Sequence, residues 1–230
     1  MSTVQATPSG APAAHPARIA ITRAVSPTLA QCALMHLERK PIDVAVITRL
    51  GAAARRPETA AVAKTLAAYR ALHVLAAPGT LDGGDILQVG RNLYVGLSGR
   101  SNAAGIAQLR AIVTRYGYIV VLVPFSGCLH LKSAVTQVGP ETLLGNRAWV
   151  SPEVFAGLGW LDVAPEEPRA GNALLVGDTV LFPQAYPETA ARLTARGITV
   201  QTVNVSELAK AEGGVTCCSL IFTTRDAASA

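Results

Sequence analysis

The stretch "DILQVGRNLYVGLSGRSNAAGIAQLRAIVTRYGYIVVLVPF", residues 85–125, holds three β-rich runs and one helical pattern. Gly90 and Arg91 part the first two runs, a dipeptide of the kind that turns a hairpin. Ala104, Ile106, Leu109, Ile112 and Val113 then recur at helical spacing before the third run. The segment therefore predicts strand, strand, helix, strand. The order returns in "SAVTQVGPETLLGN", which turns at Gly139, and in "VFAGLGWLDVAP", a short helical piece and a strand. It returns again in "NALLVGDTVLFPQAYPETAARLTARGITVQTVNV", with a turn at Gly177, a helix near 187–195 and a strand near 198–204. Self-similarity of this kind is the mark of a repeat architecture.

The N-terminal part follows the pattern less completely. "RIAITRAVSPTLAQCALMHLERK" predicts a strand and a helix, and "PETAAVAKTLAAYRALHVLAAPG" a helix and a strand. Between them "PIDVAVITRLGAAARR" has room for one strand, where a full array needs the closing strand of one unit and the opening hairpin of the next. The expected fold class is α/β (α+β): an α/β-propeller of repeated ββαβ units around a central site, with one unit incomplete. The expected organisation is a disordered Pro/Ala-rich tail over 1–16, a single domain over 17–224, and a C-terminal tail over 225–230.

Composition narrows the function classes. Half of the 230 residues are apolar and 15% are charged, which fits a compact globule with a real core. The net charge of +5 comes from scattered Lys and Arg, with no basic stripe and 5% aromatics, so no nucleic-acid partner is expected. The N-terminal residues lack the apolar region of a signal peptide. The most apolar stretch, "YIVVLVPFSGCLHL", is too short to span a bilayer and is broken by Pro124 and Gly127, so no membrane partner is expected either. Cys32, Cys128, Cys217 and Cys218 follow no disulfide or zinc spacing, which points to a reducing, cytoplasmic setting.

Three segments could carry chemistry. "GTLDGGDILQVG" places Asp82 and Asp85 around a Gly pair, which alone reads as a tight turn with positive φ. "GCLHLKSAV" places His130 on an alternating strand, where a lone histidine is usually a core residue. "EGGVTCCSLIF" sets Cys217 beside Cys218 behind Gly213 and Gly214, and a cysteine is most often a small buried hydrophobe. On an extended strand the two thiols would face opposite ways. Each segment opens a different repeat, or runs into one, so all three could reach one face. A thiol, an imidazole and a carboxylate there form a nucleophile, a proton shuttle and an orienting charge. No HExxH, Walker or GxGxxG pattern is present, so no cofactor is indicated.

Taken in order, "LDGGDILQVGRNLYVGLSGRSN", "LHLKSAV" and "EGGVTCCSLIF" resemble the dimethylarginine dimethylaminohydrolase family of the guanidine-modifying (amidinotransferase) superfamily. The resemblance runs from about Ala17 to Phe222 and takes in "TRAVSPTLAQCAL" and "ITRLGAAARRPETAAVA". It implies a five-fold propeller of ββαβ units and hydrolysis of N-methylated arginine to citrulline and (di)methylamine, without a cofactor. Cys217 matches the nucleophile, His130 the general acid/base and Asp82 the carboxylate that grips the guanidinium and steers the histidine. Arg100 and Arg55 match arginines that hold the substrate carboxylate and the neighbouring loop, a task suited to the guanidinium fork. Ala211 matches a backbone carbonyl that receives the substrate amine, and Val25 an apolar position of the lid. The implied partner is a small-molecule substrate, and the implied assembly a monomer or homodimer.

The chain departs from the family at the short join. There the family carries a strand with a Glu-Asp pair and an earlier Asp that bind the guanidinium, and "PIDVAVITRL" supplies no residue for those roles; Asp43, close to the join, matches nothing in the motif. Glu212 stands where the family often has Asp. Two alternatives accompany the leading expectation: an arginine deiminase with the same Cys, His and acid, and a catalytically silent propeller that binds arginine-like ligands or acts as a scaffold.

Overall fold

The structure is a computed structural model that describes residues 18–20 and 44–222. Val25, Cys32, Asp43, the helix expected after residue 20 and the tails expected over 1–16 and 225–230 lie outside the described residues. The described residues open with β1 (Arg18–Ala20) and continue, from residue 44, with β2 (Val44–Ile47), α1 (Glu58–Leu66) and β3 (Ala71–Val74). A complete unit follows: β4 (Ile86–Val89), β5 (Asn92–Gly96), α2 (Ala103–Val113) and β6 (Ile119–Val123). After a single-turn helix α3 (Leu131–Ala134) come β7 (Val135–Gly139), β8 (Thr142–Gly145), a 3-10 turn at Pro152–Phe155 and β9 (Gly159–Asp162). The next unit is β10 (Leu174–Val176), β11 (Thr179–Pro183), α4 (Pro187–Ala195) and β12 (Thr199–Val203). The chain then runs through α5 (Ser206–Lys210) and a 3-10 turn at Val215–Cys218 into β13 (Leu220–Phe222).

The repeat expected from residues 85–125 is present three times among the described residues. In each three-stranded sheet the first two strands form an antiparallel hairpin, and the third returns through a helix or 3-10 turn to lie parallel to the second. The first hairpin turns at Gly90 and the third at Gly177, with φ of 57° and 61°, a region open to glycine at no steric cost. The hairpin at Gly139 turns differently, with a register shift between Gln137 and Gly139. Two sheets are two-stranded among the described residues: β2 beside β3, parallel across α1, and β1 beside β13, antiparallel. The single strand expected in "PIDVAVITRL" is thus β2, and its sheet shows no opening hairpin strand among the described residues.

Apolar packing lies between neighbouring units. Val46 and Leu75 pack with Leu93, Ile106 and Leu109; Leu87 and Tyr94 pack with Leu143 and Phe155; Leu144 packs with Val180, Phe182 and Leu193. Leu220 of β13 packs against Ala45, Ile47, Val62 and Leu66 and so brings β13 against β2 and α1. β4 touches β7, and β7 touches β10, so the opening strands of successive units face one another. Ile119 and Leu122 on β6 are by contrast 61% and 50% exposed, so third strands lie toward solvent. Because the apolar faces are spent between units, polar residues at the strand ends remain to meet near the opening strands.

Candidate active site

Asp82 ends the connection from β3 to β4, just before a 3-10 turn at Gly83–Asp85. Its side chain is fully buried. Oδ1 accepts a hydrogen bond from the Gly51 N–H at 2.9 Å, and Oδ2 lies 3.1 Å from His130 Nε2. Gly51 belongs to the loop after β2, so the incomplete unit still delivers a donor to this carboxylate. Burial works to raise the Asp82 pKa. Hydrogen bonds from His130 and Gly51, with the charges of His130 and Arg55, outweigh it and hold the carboxyl below its usual range.

His130 is 4% exposed and occupies the residue just before α3, with φ −132° and ψ 152°. The strand expected around it is therefore a strand-like residue leading into one helical turn. Its ring lies over Gly84, where an added Cβ would come within 2.7 Å of His130 Cγ. This explains Gly84 of "LDGGD" by close packing, where a positive φ was expected. The glycines with positive φ include Gly90 and Gly177 and neither Gly83 nor Gly84, so Gly84 is required by the close approach of the imidazole.

Asp85, also fully buried, has a different task. Its Oδ2 accepts from Ser98 Oγ at 2.7 Å and Ser101 Oγ at 2.6 Å, and its Oδ1 from the Leu131 N–H at 3.0 Å. It ties the β5–α2 loop to the start of α3, one residue past His130. Burial raises the Asp85 pKa despite these donors. The Ser98 hydroxyl also receives the Arg100 N–H at 3.0 Å, which fixes the backbone of a half-buried Arg100.

Cys217 is a free, half-buried thiol. Sequence alternation expected the cysteine pair on an extended strand, whereas both residues lie in the 3-10 turn Val215–Cys218 ahead of β13. In this turn the Cys217 N–H reaches the Gly214 carbonyl at 3.0 Å, and an added Cβ at Gly214 would run into Asn172. Lys132, two residues past His130, shares its electrostatic field with Cys217 and Asp85. Burial lowers the Lys132 pKa, and the facing charges of Cys217 and Asp85 oppose that shift. Cys128, also a free thiol, gives its S–H to the His130 carbonyl at 3.3 Å. Its pKa is pushed up to about 11 by burial and then by the Asp85 charge.

The hydrogen bonds thus bring Asp82 and His130 together, and Asn172, bonded to the Lys132 carbonyl and to Thr216, links the turn after His130 to the turn that carries Cys217. Arg55 lies in the 3-10 turn Ala53–Arg55, bonds Glu58 at 3.3 and 3.4 Å, and acts electrostatically on Asp82. Ala211 is exposed at the end of α5, next to Glu212, which adopts φ 56°. Ser98, Ser101, Asn172 and Thr216 were not singled out by residue type, since polar residues near Gly are common in loops. Among the described residues, no group of three His, Cys, Asp or Glu could hold a metal ion. No helix among them is long and apolar enough to cross a membrane.

No family model matches the chain. It is 44% identical over 180 residues to the N(G),N(G)-dimethylarginine dimethylaminohydrolase of Streptomyces coelicolor, covering 77% of this chain and 69% of that protein. It is 36% identical to the protein of the same name from Pseudomonas aeruginosa, covering 77% of this chain and 71% of that one. A solved cysteine-to-serine mutant of the Pseudomonas aeruginosa protein, in complex with citrulline, matches with a TM-score of 0.74 at 32% identity, over 84% of this chain and 76% of the other. Identity of this degree, over more than two thirds of each relative and with the same fold, has one reading: the chain belongs to the dimethylarginine dimethylaminohydrolase family.

Proposed function

We propose that the protein hydrolyses N-methylated arginine to citrulline and a methylamine through a covalent intermediate on Cys217. The observation that carries the reading is the buried Asp82–His130 pair, with the turn after His130 tied through Asn172 to the turn that carries the free thiol of Cys217. A buried carboxylate on an imidazole orients it, as a proton shuttle requires. Relatives at 36% and 44% identity are dimethylaminohydrolases, which favours this reading over a deiminase or a silent binding propeller.

In the proposed course the Cys217 thiolate attacks the guanidinium carbon, forming a C–S bond. His130 delivers a proton to the methylated nitrogen, and the C–N bond breaks with release of the amine. His130 then takes a proton from water, whose oxygen bonds to the same carbon and becomes the carbonyl oxygen of citrulline. Collapse of that adduct breaks the C–S bond and restores Cys217. Asp82 steers His130 and faces the cationic group. Arg100 and Arg55 are assigned to the substrate carboxylate and the adjoining loop, and the Ala211 carbonyl to the substrate amine. The Val25 assignment to the lid lies outside the described residues. The proposed substrate is a small molecule.

The test is citrulline formation from asymmetric dimethylarginine and from arginine by wild type, Cys217→Ser and Cys218→Ser. Turnover of the methylated substrate that is lost only in Cys217→Ser is expected. Turnover surviving in Cys217→Ser removes the mechanism, a preference for arginine makes the protein a deiminase, and a folded but inactive wild type makes it a binding scaffold.

A further inference from the structure

One buried side chain connects the two reactive turns. Asn172, on the loop entering β10, is 9% exposed and uses both amide hydrogens and its oxygen. Nδ2 donates to the Lys132 carbonyl at 2.9 Å and to Thr216 Oγ1 at 2.8 Å, and Oδ1 accepts from the Thr216 N–H at 3.2 Å. Lys132 follows His130 by two residues on α3, and Thr216 directly precedes Cys217. The contacts to Lys132 and to the Thr216 N–H are to main chain, so they read the position of each turn.

The bracket is itself anchored. Thr136, buried on β7, donates its hydroxyl to the Gly171 carbonyl at 2.7 Å and accepts the Ala173 N–H at 3.0 Å, gripping the backbone on both sides of Asn172. Gly171 is pressed against α3: an added Cβ would stand 2.8 Å from the Ala134 carbonyl oxygen and 2.9 Å from that of Ser133. An added Cβ at Gly214 would run into Asn172 Oδ1. Close backbone approach on both sides leaves little slack in the bracket.

From this geometry we infer that Asn172 is a positioning residue that sets the separation of the Cys217 thiol from the His130 imidazole. It acts through the two turns, without supplying a reacting atom. The inference deepens the proposed function and rests on it for the identity of the substrate. Displacing a reacting pair by about an ångström can cost a factor of about 100 in rate, and a fully bonded buried amide has no substitute that keeps all three contacts.

The experiment compares wild type, Asn172→Ala and Asn172→Asp, with His130→Ala as a reference. Asn172→Asp keeps an oxygen for the Thr216 N–H and loses the donor to Lys132. Three quantities are read: kcat and KM on asymmetric dimethylarginine, iodoacetamide labelling of Cys217 followed by peptide mass mapping, and thermal melting. We expect kcat to fall about 10- to 100-fold in both Asn172 variants, with KM changed less than about 3-fold. The effect of His130→Ala on the Cys217 labelling rate should disappear when Asn172 is also replaced. Wild-type kcat in a folded Asn172→Ala, an unchanged His130 effect on labelling, or loss of folding in both variants overturns the inference. If wild type makes no citrulline, the proposed function fails, and labelling, which needs no substrate, still decides the role of Asn172.

Discussion

Gly84→Ala isolates the geometry of the His130–Asp82 pair, because it adds one methyl and removes no polar group. That methyl would lie 2.7 Å from His130 Cγ and 3.0 Å from its Cβ and Cδ2. Carbon atoms rest at about 3.5–4.0 Å, so the ring or the turn must retreat by roughly 0.8 Å. The Nε2 to Oδ2 distance is already 3.1 Å, and opening it by that amount takes it beyond hydrogen-bonding range. Moving the same distance toward Asp82 would drive the two atoms into overlap. The lost interaction joins a buried carboxylate to an imidazole and is worth about 1.5–3 kcal/mol. At about 1.4 kcal/mol per decade, kcat for citrulline release should fall about 10- to 100-fold. Gly159→Ala is the control, since its new methyl would meet Glu141 O at 3.4 Å and Thr142 Oγ1 at 3.5 Å, ordinary contact on β9. Steady-state assays with circular dichroism on both variants make the comparison. A folded Gly84→Ala with wild-type kcat would refute the argument that the imidazole has no room to move.

Two further expectations follow from the electrostatics. The Asp82 carboxyl is held below its usual range, so its stabilisation is fully present above the unfolded value of about 3.9 and is lost as pH falls through the lower folded value. The difference in urea stability between wild type and Asp82→Asn should stay level down to about pH 5 and shrink under further acidification; a difference that grows would reverse the sign. Cys128, pushed up to about 11, carries about one thiolate per thousand molecules at pH 8. Peptide mapping should find it unmodified after an iodoacetamide exposure that consumes a free cysteine peptide, and rapid labelling would count against its burial.

Much of the fold could be read from periodicity, because strand and helix patterns are local. The units at 86–123 and 174–203 emerge with the expected hairpins and helices, and the shortage of strands before Arg55 is visible as a shortage of residues. Local pattern failed where tertiary contact overrides it. His130 and the cysteine pair sit among alternating residues, yet α3 begins at Leu131 because Asp85 receives its N–H. Residues 215–218 form a 3-10 turn pressed by Asn172 rather than a strand.

The sequence by itself determined the repeat, the family resemblance and the identity of the three candidate reactive groups, since motif and spacing are properties of neighbouring residues. It also identified Gly84 as a glycine, but not the reason, which is an imidazole arriving from a residue 46 positions later. The resemblance chose Asp82 over Asp85 in "LDGGD", and the tertiary structure supplied the physical reason. Asp82 is left to meet His130, while Asp85 is saturated by two hydroxyls and a backbone N–H. Only the tertiary structure found Asn172, whose partners lie 40 and 44 residues away. Hydrogen bonds across such distances depend on how units pack against one another, and no local pattern in the chain encodes them.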